Sequence, residues 1–497
     1  MELCDRTAHE LSAMLAAGET SCSEIVGSVL KRISAVEHHV GAFITVDAEG
    51  AERRAKSLHA GRRAGEEPGP LWGIPVAVKD NICTKGMRTT CASKILENYV
   101  PPYDATAVER LIDAGAIIIG KTNMDEFGMG SSTEHSALAA TVNPWDGAKV
   151  PGGSSGGSAA AVISGEAVCS LGSDTGGSVR LPASFCGLVG LRPTYGAISR
   201  YGLVAFGSSM DQIGPITKDV RDCAALFNVL AGPDKRDSTS FSEGVPRAVL
   251  PPGPTSLRGK RLGVPRRLLD AGTDGEVRAL FDEAVKTLSD LGAEVVDVEI
   301  MDPSHAVAAY YVIANAEASS NLARFDGVRY GVRRGGTGLE DMYRRTREEG
   351  FGTEVKRRIA LGTYVLSAGY YDEYYLTACR VRNLIARELR ENFERLDLIA
   401  LPSAATEAFA LGERMKDPVA MYLSDVFTVA PALAGSPALS LPMGLTSNGM
   451  PAGFQLVGPP RGEAGLLEAG HSFQRVAAHH TNRPSMDLRK DGRASAG

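Results

Sequence analysis

Residues 107–122 read AVERLIDAGAIIIGKT, and how they are parsed decides the fold. The stretch satisfies the phosphate-loop pattern GxxxxGK[ST] from Gly115 to Thr122. A real phosphate loop needs a strand before its first glycine and a flexible, glycine-rich turn after it, so that backbone N–H groups can wrap an anion. Here the order is reversed. Ala107–Ala114 has helical apolar spacing, and Ala116–Ile119 is short, apolar and β-branched, as in a buried strand. We therefore read helix, turn and strand rather than a nucleotide site. The same alternation recurs outward from this segment. Ile74–Val78 is an apolar strand ending on Lys79-Asp80. Glu276–Leu291 then Glu294–Ile300 is helix then strand, and Leu398–Leu401 and Ala438–Leu441 add strands. Alternation of this kind predicts an α/β fold, with helices on both faces of the sheet.

The first 60 residues read as helices. Thr7 with Glu10 and Ser21 with Glu24 have capping-box spacing, and Ile25, Val29, Ile33 and Val36 follow on one helical face. Residues 232–260, rich in Pro, Ser, Asp and Gly, read as a surface connection. From Asn482 onward the chain reads as a polar tail.

The 497 residues carry 53 Lys+Arg against 59 Asp+Glu, a net charge of −6. A free-standing nucleic-acid binder usually carries a basic excess, so that class is disfavoured, although a partner could hold the nucleic acid. The eight cysteines are scattered without a CxxC pair, which points to a reducing cytoplasmic setting rather than a disulfide framework or zinc site. No metal site is expected. MELCDRTAHE has no basic and apolar segments of a secretory leader, and no apolar run reaches the roughly 18 residues of a membrane span.

The 56 glycines exceed the roughly 7% average. Residues 151–187 are especially rich. Gly152-Gly-Ser-Ser-Gly156 matches the GxSxG nucleophile elbow, but an elbow needs a preceding strand and a downstream acid and histidine. NPWDGAKVP provides no strand, and no later histidine sits in an evident catalytic loop. A plain linker is also a poor reading, because the apolar, helix-like run Ala159–Ile163 follows at once.

Several stretches must be taken together: Gly73-Ile-Pro-Val-Ala-Val-Lys-Asp80, Pro151-Gly-Gly-Ser-Ser-Gly-Gly-Ser158, Gly172-Ser-Asp-Thr-Gly-Gly-Ser178 with the VRLPA that follows, and Gly187-Leu-Val-Gly-Leu-Arg-Pro-Thr-Tyr-Gly196. In this order and spacing the chain resembles the amidase signature family over nearly its whole length. The resemblance implies one large mixed β-sheet covered by helices, in a single domain over 1–481 followed by the tail 482–497. It implies a Ser–cisSer–Lys triad: Ser178 as nucleophile, Ser154 as bridging serine behind a cis peptide, and Lys79 as base. It also implies an oxyanion hole from the backbone of Thr175, Gly176, Gly177 and Ser178.

The chemistry is coherent on its own terms. A serine needs a base to become nucleophilic. A lysine can serve only when neutral, and burial lowers its pKa.

Arg200-Tyr-Gly-Leu-Val-Ala-Phe206, Met210-Asp-Gln-Ile-Gly-Pro-Ile-Thr217, Ala316–Gly331, Glu354-Val-Lys-Arg-Arg-Ile359 and Met421-Tyr-Leu-Ser-Asp425 resemble one branch of the family, the glutamine-hydrolysing subunits of tRNA-dependent amidotransferases. That branch implies a pocket for free glutamine built from Arg358, Asp425 and Tyr310, with Tyr311 adjacent and the choice between the two tyrosines open. Taken alone, Lys356-Arg357-Arg358 would be a solvated helix face. The branch further implies no cofactor on this chain, B and C partner subunits, ATP and Mg²⁺ used at the B subunit, misacylated tRNA held mainly there, and no membrane. The other expectations left open by the sequence are a stand-alone amidase for small aliphatic or aryl amides and an inert scaffold.

Overall fold

The computed structural model describes residues 2–63, 68–251, 253, 256–269 and 272–485. Its centre is one 11-stranded sheet. The strands are β1 (Phe43–Val46), β2 (Pro75–Lys79), β3 (Ile117–Thr122), β4 (Cys169–Asp174), β5 (Val189–Arg192), β6 (Gln212–Thr217), β7 (Arg261–Val264), β8 (Glu294–Asp297), β9 (Leu398–Pro402), β10 (Ala438–Leu445) and β11 (Pro451–Val457). They lie in the order β1-β3-β2-β4-β6-β5-β10-β11-β9-β7-β8. The sheet is mixed: β3, β2 and β4 are parallel, β4 through β9 pair antiparallel, and β9, β7 and β8 are parallel again.

Every residue of β2, β4, β5, β6, β9 and β11 is buried. Since successive side chains point to opposite faces, both faces of these strands are covered, which is the job of the helices between them. One hydrophobic cluster runs from Cys4 to Phe473. All eight cysteines are free. Among the described residues no helix is long and apolar enough to cross a membrane.

The segment 107–122 is the helix Thr106–Asp113 followed by β3, so no phosphate loop forms. Both capping boxes are made, at Thr7/Glu10 and Ser21/Glu24. Two expectations need correction. The first 60 residues are not all helical: β1 pairs antiparallel with β3. It is a four-residue edge strand of which only Phe43 is buried, too short to show a period of two. The strand after Glu294 ends at Asp297, short of Ile300. Residues 232–260 form no helix or strand among those described. Of the tail, 486–497 lie outside the described residues.

The topology places the chemistry. Because β2 and β4 are parallel neighbours, with Val78 level with Leu171, Lys79 and the loop following Asp174 emerge at the same edge. Carboxyl ends of parallel strands are where α/β sheets hold ligands.

Candidate active site

Lys79 ends β2 with no exposed surface. Its Nζ donates to Ser154 Oγ at 2.8 Å, to Ser155 Oγ at 2.8 Å and to the Ser173 carbonyl at 3.2 Å. Burial lowers its pKa from the ordinary 10.5 to about 7, against the opposing pull of Asp125, Asp174 and Asp211. Three acceptors satisfy an ammonium completely. A neutral amine in the same place has a lone pair free for one serine proton. Near neutral pH both forms are populated, the condition for a base that also returns its proton.

Ser154 follows a cis peptide bond from Gly153 and precedes the helix Gly156–Ile163. The residues before it form no strand, so the nucleophile elbow is absent. Asp125 organises this loop. Its backbone N–H donates to the Ser154 carbonyl at 3.2 Å, and its carboxylate accepts from the backbone of Thr133 at 2.9 Å and His135 at 3.1 Å. A Cβ on Gly153 would lie 2.1 Å from that carboxylate and 2.4 Å from the Ser132 nitrogen, so only glycine fits.

Ser178 lies between β4 and the helix Arg180–Cys186. Its carbonyl accepts from Ser155 N at 3.2 Å, which ties the two serine loops together. Its hydroxyl makes no hydrogen bond among the described residues. The Lys79–Ser154 contact of the expected triad is thus formed and the Ser154–Ser178 contact is not. Catalytic hydrogen bonds are often open without substrate.

The backbone N–H groups of Thr175, Gly176, Gly177 and Ser178 likewise have no partner among the described residues, leaving a row of donors for a developing oxyanion. The loop is fixed from behind. Asp174 accepts from Arg180 Nε at 3.0 Å and from Arg192 Nη1 at 2.9 Å, all three fully buried. Burial alone would raise the Asp174 pKa, but the two guanidiniums hold it at about 2. Arg180 also donates to the carbonyls of Gly176 at 3.3 Å and Thr428 at 2.9 Å. Thr175 Oγ1 donates to Asp211 Oδ1 at 2.7 Å.

Beyond this loop the structure gathers Tyr310, Tyr311, Arg358 and Asp425. The Tyr310 ring covers Gly176: a Cβ there would fall 2.7 Å from its Cζ. Gly177 faces Thr428 and Asp425. Arg358, on the helix Thr353–Val365, is 2% exposed, not on the solvated face its neighbours suggest. Its Nε donates to Glu354 Oε1 at 2.7 Å, which also accepts from Tyr422 Oη at 3.0 Å. The guanidinium lies 5.1 Å from the Tyr311 ring and 5.2 Å from the Tyr422 ring, which stack at 3.8 Å. Tyr310 therefore meets the loop at Gly176 and Tyr311 meets the arginine.

Asp425 accepts from Ser131 Oγ at 2.7 Å through Oδ2, while its buried Oδ1 has no partner. Burial raises its carboxyl to about 7, with Asp174 adding to the rise and Ser131, Arg180 and Arg358 opposing it. A buried cation and a buried carboxylate with an open oxygen are what a free amino acid requires. Sequence reasoning missed Ser131, Ser155, Asp125, Asp211, Glu354 and Tyr422. Only Ser155 and Glu354 carried a signal, the first as the second serine of GGSSGGS and the second as an acid four residues before Arg358.

A family model described as Amidase matches residues 24–467. The chain belongs to the amidase family. The A subunit of the glutamyl-tRNA(Gln) amidotransferase of Symbiobacterium thermophilum is 56% identical to it over 482 residues, covering 97% of this chain and 98% of that protein. The Moorella thermoacetica protein of the same name is 54% identical over 490 residues, covering 98% and 100%. The crystal structure of the A subunit of the Thermotoga maritima glutamyl-tRNA(Gln) amidotransferase superposes with a TM-score of 0.80 at 43% identity, covering 96% of each chain. Amidase-family membership makes the chain an enzyme of amide chemistry and accounts for the mixed sheet and the glycine-serine loops.

Proposed function

We propose that this chain is the glutamine-hydrolysing subunit of a tRNA-dependent amidotransferase that converts Glu-tRNA(Gln) to Gln-tRNA(Gln). The observation that carries the chemistry is the buried Lys79 amine, 2.8 Å from Ser154 Oγ, with its pKa near 7. Ser178 Oγ attacks the side-chain amide carbon of glutamine. Its proton passes to Ser154, whose own proton moves to Lys79. The carbonyl oxygen becomes an oxyanion facing the N–H groups of residues 175–178. When the C–N bond breaks, the relay runs backwards and the proton leaves with ammonia. Water then hydrolyses the glutamyl ester and frees Ser178. In this scheme Asp425 holds the substrate ammonium, Arg358 its carboxylate, and Tyr310 packs beside the reacting amide.

Identity of 54% and 56% along nearly the full length of two such A subunits supports the tRNA-dependent assignment over a stand-alone amidase. On this reading ammonia passes to a B subunit that activates glutamyl-tRNA with ATP and Mg²⁺ and holds most of the tRNA. A small C subunit joins the other two, and the assembly is cytoplasmic. We also propose that residues 1–481 fold as one domain, since a single sheet takes strands from Phe43 to Val457 and a single cluster spans it.

The test is glutamine-dependent ammonia release by the assembled complex carrying Ser178→Ala. Release should vanish while amidation from added ammonium salt persists. Release at the wild-type rate would remove Ser178 from the mechanism.

A further inference from the structure

A cavity lies at the opposite end of β4 and β6 from Lys79 and Ser178. Strand β6 runs antiparallel to β4, pairing Ile216 with Ser170, so Lys218-Asp219 emerges beside the start of β4. About 17 Å of strand separates that point from the catalytic loop. Here the start of the helix Ala8–Ala17, the start of the helix Val220–Leu230 and the end of the helix Glu463–Val476 surround a cavity of about 640 Å³.

Arginines outnumber carboxylates on its wall, four to three. The acids on its wall are already engaged. Asp5 pairs with Arg32 at 3.3 Å, and Glu10 accepts from the Thr7 backbone at 3.0 Å. Asp219 accepts from the Asp222 backbone at 2.8 Å and faces His9 Nδ1 at 3.3 Å. Three other guanidiniums line the cavity without a salt bridge among the described residues, and of these Arg483 feels the nearby carboxylates of Asp5, Asp219 and Glu10. Arg221 and Arg475 have no ion pair among the described residues, and Arg483 donates only to the carbonyls of His480 and Asn482, both at 2.8 Å.

Gln474 adds an independent indication of a ligand. It is 8% exposed, and its Oε1 accepts from Val220 N at 2.9 Å, which fixes the amide orientation. Its Nε2 is then left buried on the cavity wall with no partner. A buried amide N–H₂ without an acceptor costs free energy unless something else fills that role. The neighbouring histidines divide: burial first and then Arg221 and Arg475 lower His471, and burial with Arg483 lowers His480 to about 4, whereas at His9 burial is overcome by Asp222 and Asp219, which raise it.

We propose that this cavity binds an oligophosphate group, with Arg221, Arg475 and Arg483 on its oxygens and the Gln474 amide as a further donor. Guanidinium forks match phosphate oxygens in pairs, and the volume falls within the range of small-molecule sites. The group is either a free inorganic oligophosphate or the tail of a nucleotide. The site is separate from the glutamine chemistry and does not depend on it.

Calorimetric titration of the full chain decides the matter. The ligands are pyrophosphate, tripolyphosphate, metal-free ATP and citrate at matched ionic strength. The expected result is a phosphate Kd below about 1 mM and at least tenfold weaker citrate binding. Tighter binding of ATP than of tripolyphosphate assigns the site to a nucleotide, and the reverse assigns it to inorganic chains. R221Q, R475Q and their double variant remove exposed arginines outside the active site. Each single change should weaken phosphate binding several-fold and the pair at least tenfold, with glutaminase activity unchanged. No heat with any phosphate, citrate as good as phosphate, or unaltered affinity in the variants would overturn the proposal.

Discussion

Replacing Ser155 by alanine tests the electrostatics of the base without touching the reacting serines. Lys79 donates to Ser155 Oγ at 2.8 Å, and its remaining acceptors are Ser154 Oγ and the Ser173 carbonyl. Loss of Ser155 Oγ leaves an ammonium with one unsatisfied proton in a site where Lys79 has no exposed surface. A hydrogen bond involving a charged group is worth about 1.5–3 kcal/mol, and a neutral one about 0.5–1.5. The lost bond therefore favoured the ammonium over the amine by on the order of 1 kcal/mol, which is somewhat less than one pH unit at about 1.36 kcal/mol per unit. The Lys79 pKa, already lowered to about 7 by burial, should drop further. The assay is kcat/KM for glutamine, followed by ammonia release between roughly pH 5 and 9. In the wild type the rate should climb with pH and level off above about 7. In Ser155→Ala the midpoint should move to lower pH by about half to one unit, with a lower plateau because the amine is less well aimed. An unmoved or raised midpoint would refute Lys79 as the titrating base.

Asp425→Asn should raise KM for glutamine at least tenfold, about 1.4 kcal/mol, with a smaller effect on kcat. In the empty pocket burial holds the Asp425 carboxyl near 7. An incoming ammonium favours the carboxylate, so glutamine binding near pH 7 should release a fraction of a proton, seen by calorimetry in buffers of different ionisation enthalpy and lost in the variant. Gly177→Ala would place a Cβ 2.2 Å from Thr428 Oγ1 and 3.0 Å from Asp425 Oδ1. We expect a loss of about 10²-fold or more in kcat from the displaced loop, together with a loss of about 1–3 kcal/mol in stability from overpacking. Asp174→Asn leaves two buried guanidiniums uncompensated and should cost about 3–5 kcal/mol in urea denaturation. In the wild type the Asp174 pKa is depressed from 3.8 to about 2. Its contribution of roughly 2 kcal/mol is present above its unfolded pKa and should disappear as pH falls through 2.

The parts of the molecule written in local periodicity were legible in the sequence. The helix–turn–strand of 107–122, the capped N-terminal helices and the apolar β2 ending on Lys79 all declare themselves through spacing and side-chain shape. Strand β4 did not. Cys169-Ser-Leu-Gly-Ser-Asp174 is made of small and polar residues whose burial comes from helices packed on both faces, a tertiary fact with no local signature. Arg358 was legible only through resemblance. Its burial depends on Glu354, Tyr311 and Tyr422, and two of these three come from distant parts of the chain. The pairing of Asp174 with two arginines, one six and one eighteen residues away, was equally hidden, because composition cannot show which charges meet inside.

The relay and the pocket draw on different lengths of chain. Lys79, Ser154, the loop to Ser178 and their supports at Asp125, Asp174 and Asp211 all precede β7. Tyr310, Tyr311, Glu354, Arg358, Tyr422 and Asp425 all follow it, and Arg180 stitches the two across the Gly176 and Thr428 carbonyls. Reactivity and molecular recognition are therefore largely separated along the chain, with Ser131, which donates to Asp425, the exception. Diversity introduced only into 303–321, 353–365 and 421–428 leaves the proton relay untouched, which makes these three segments the natural place to teach the same serine a different amide.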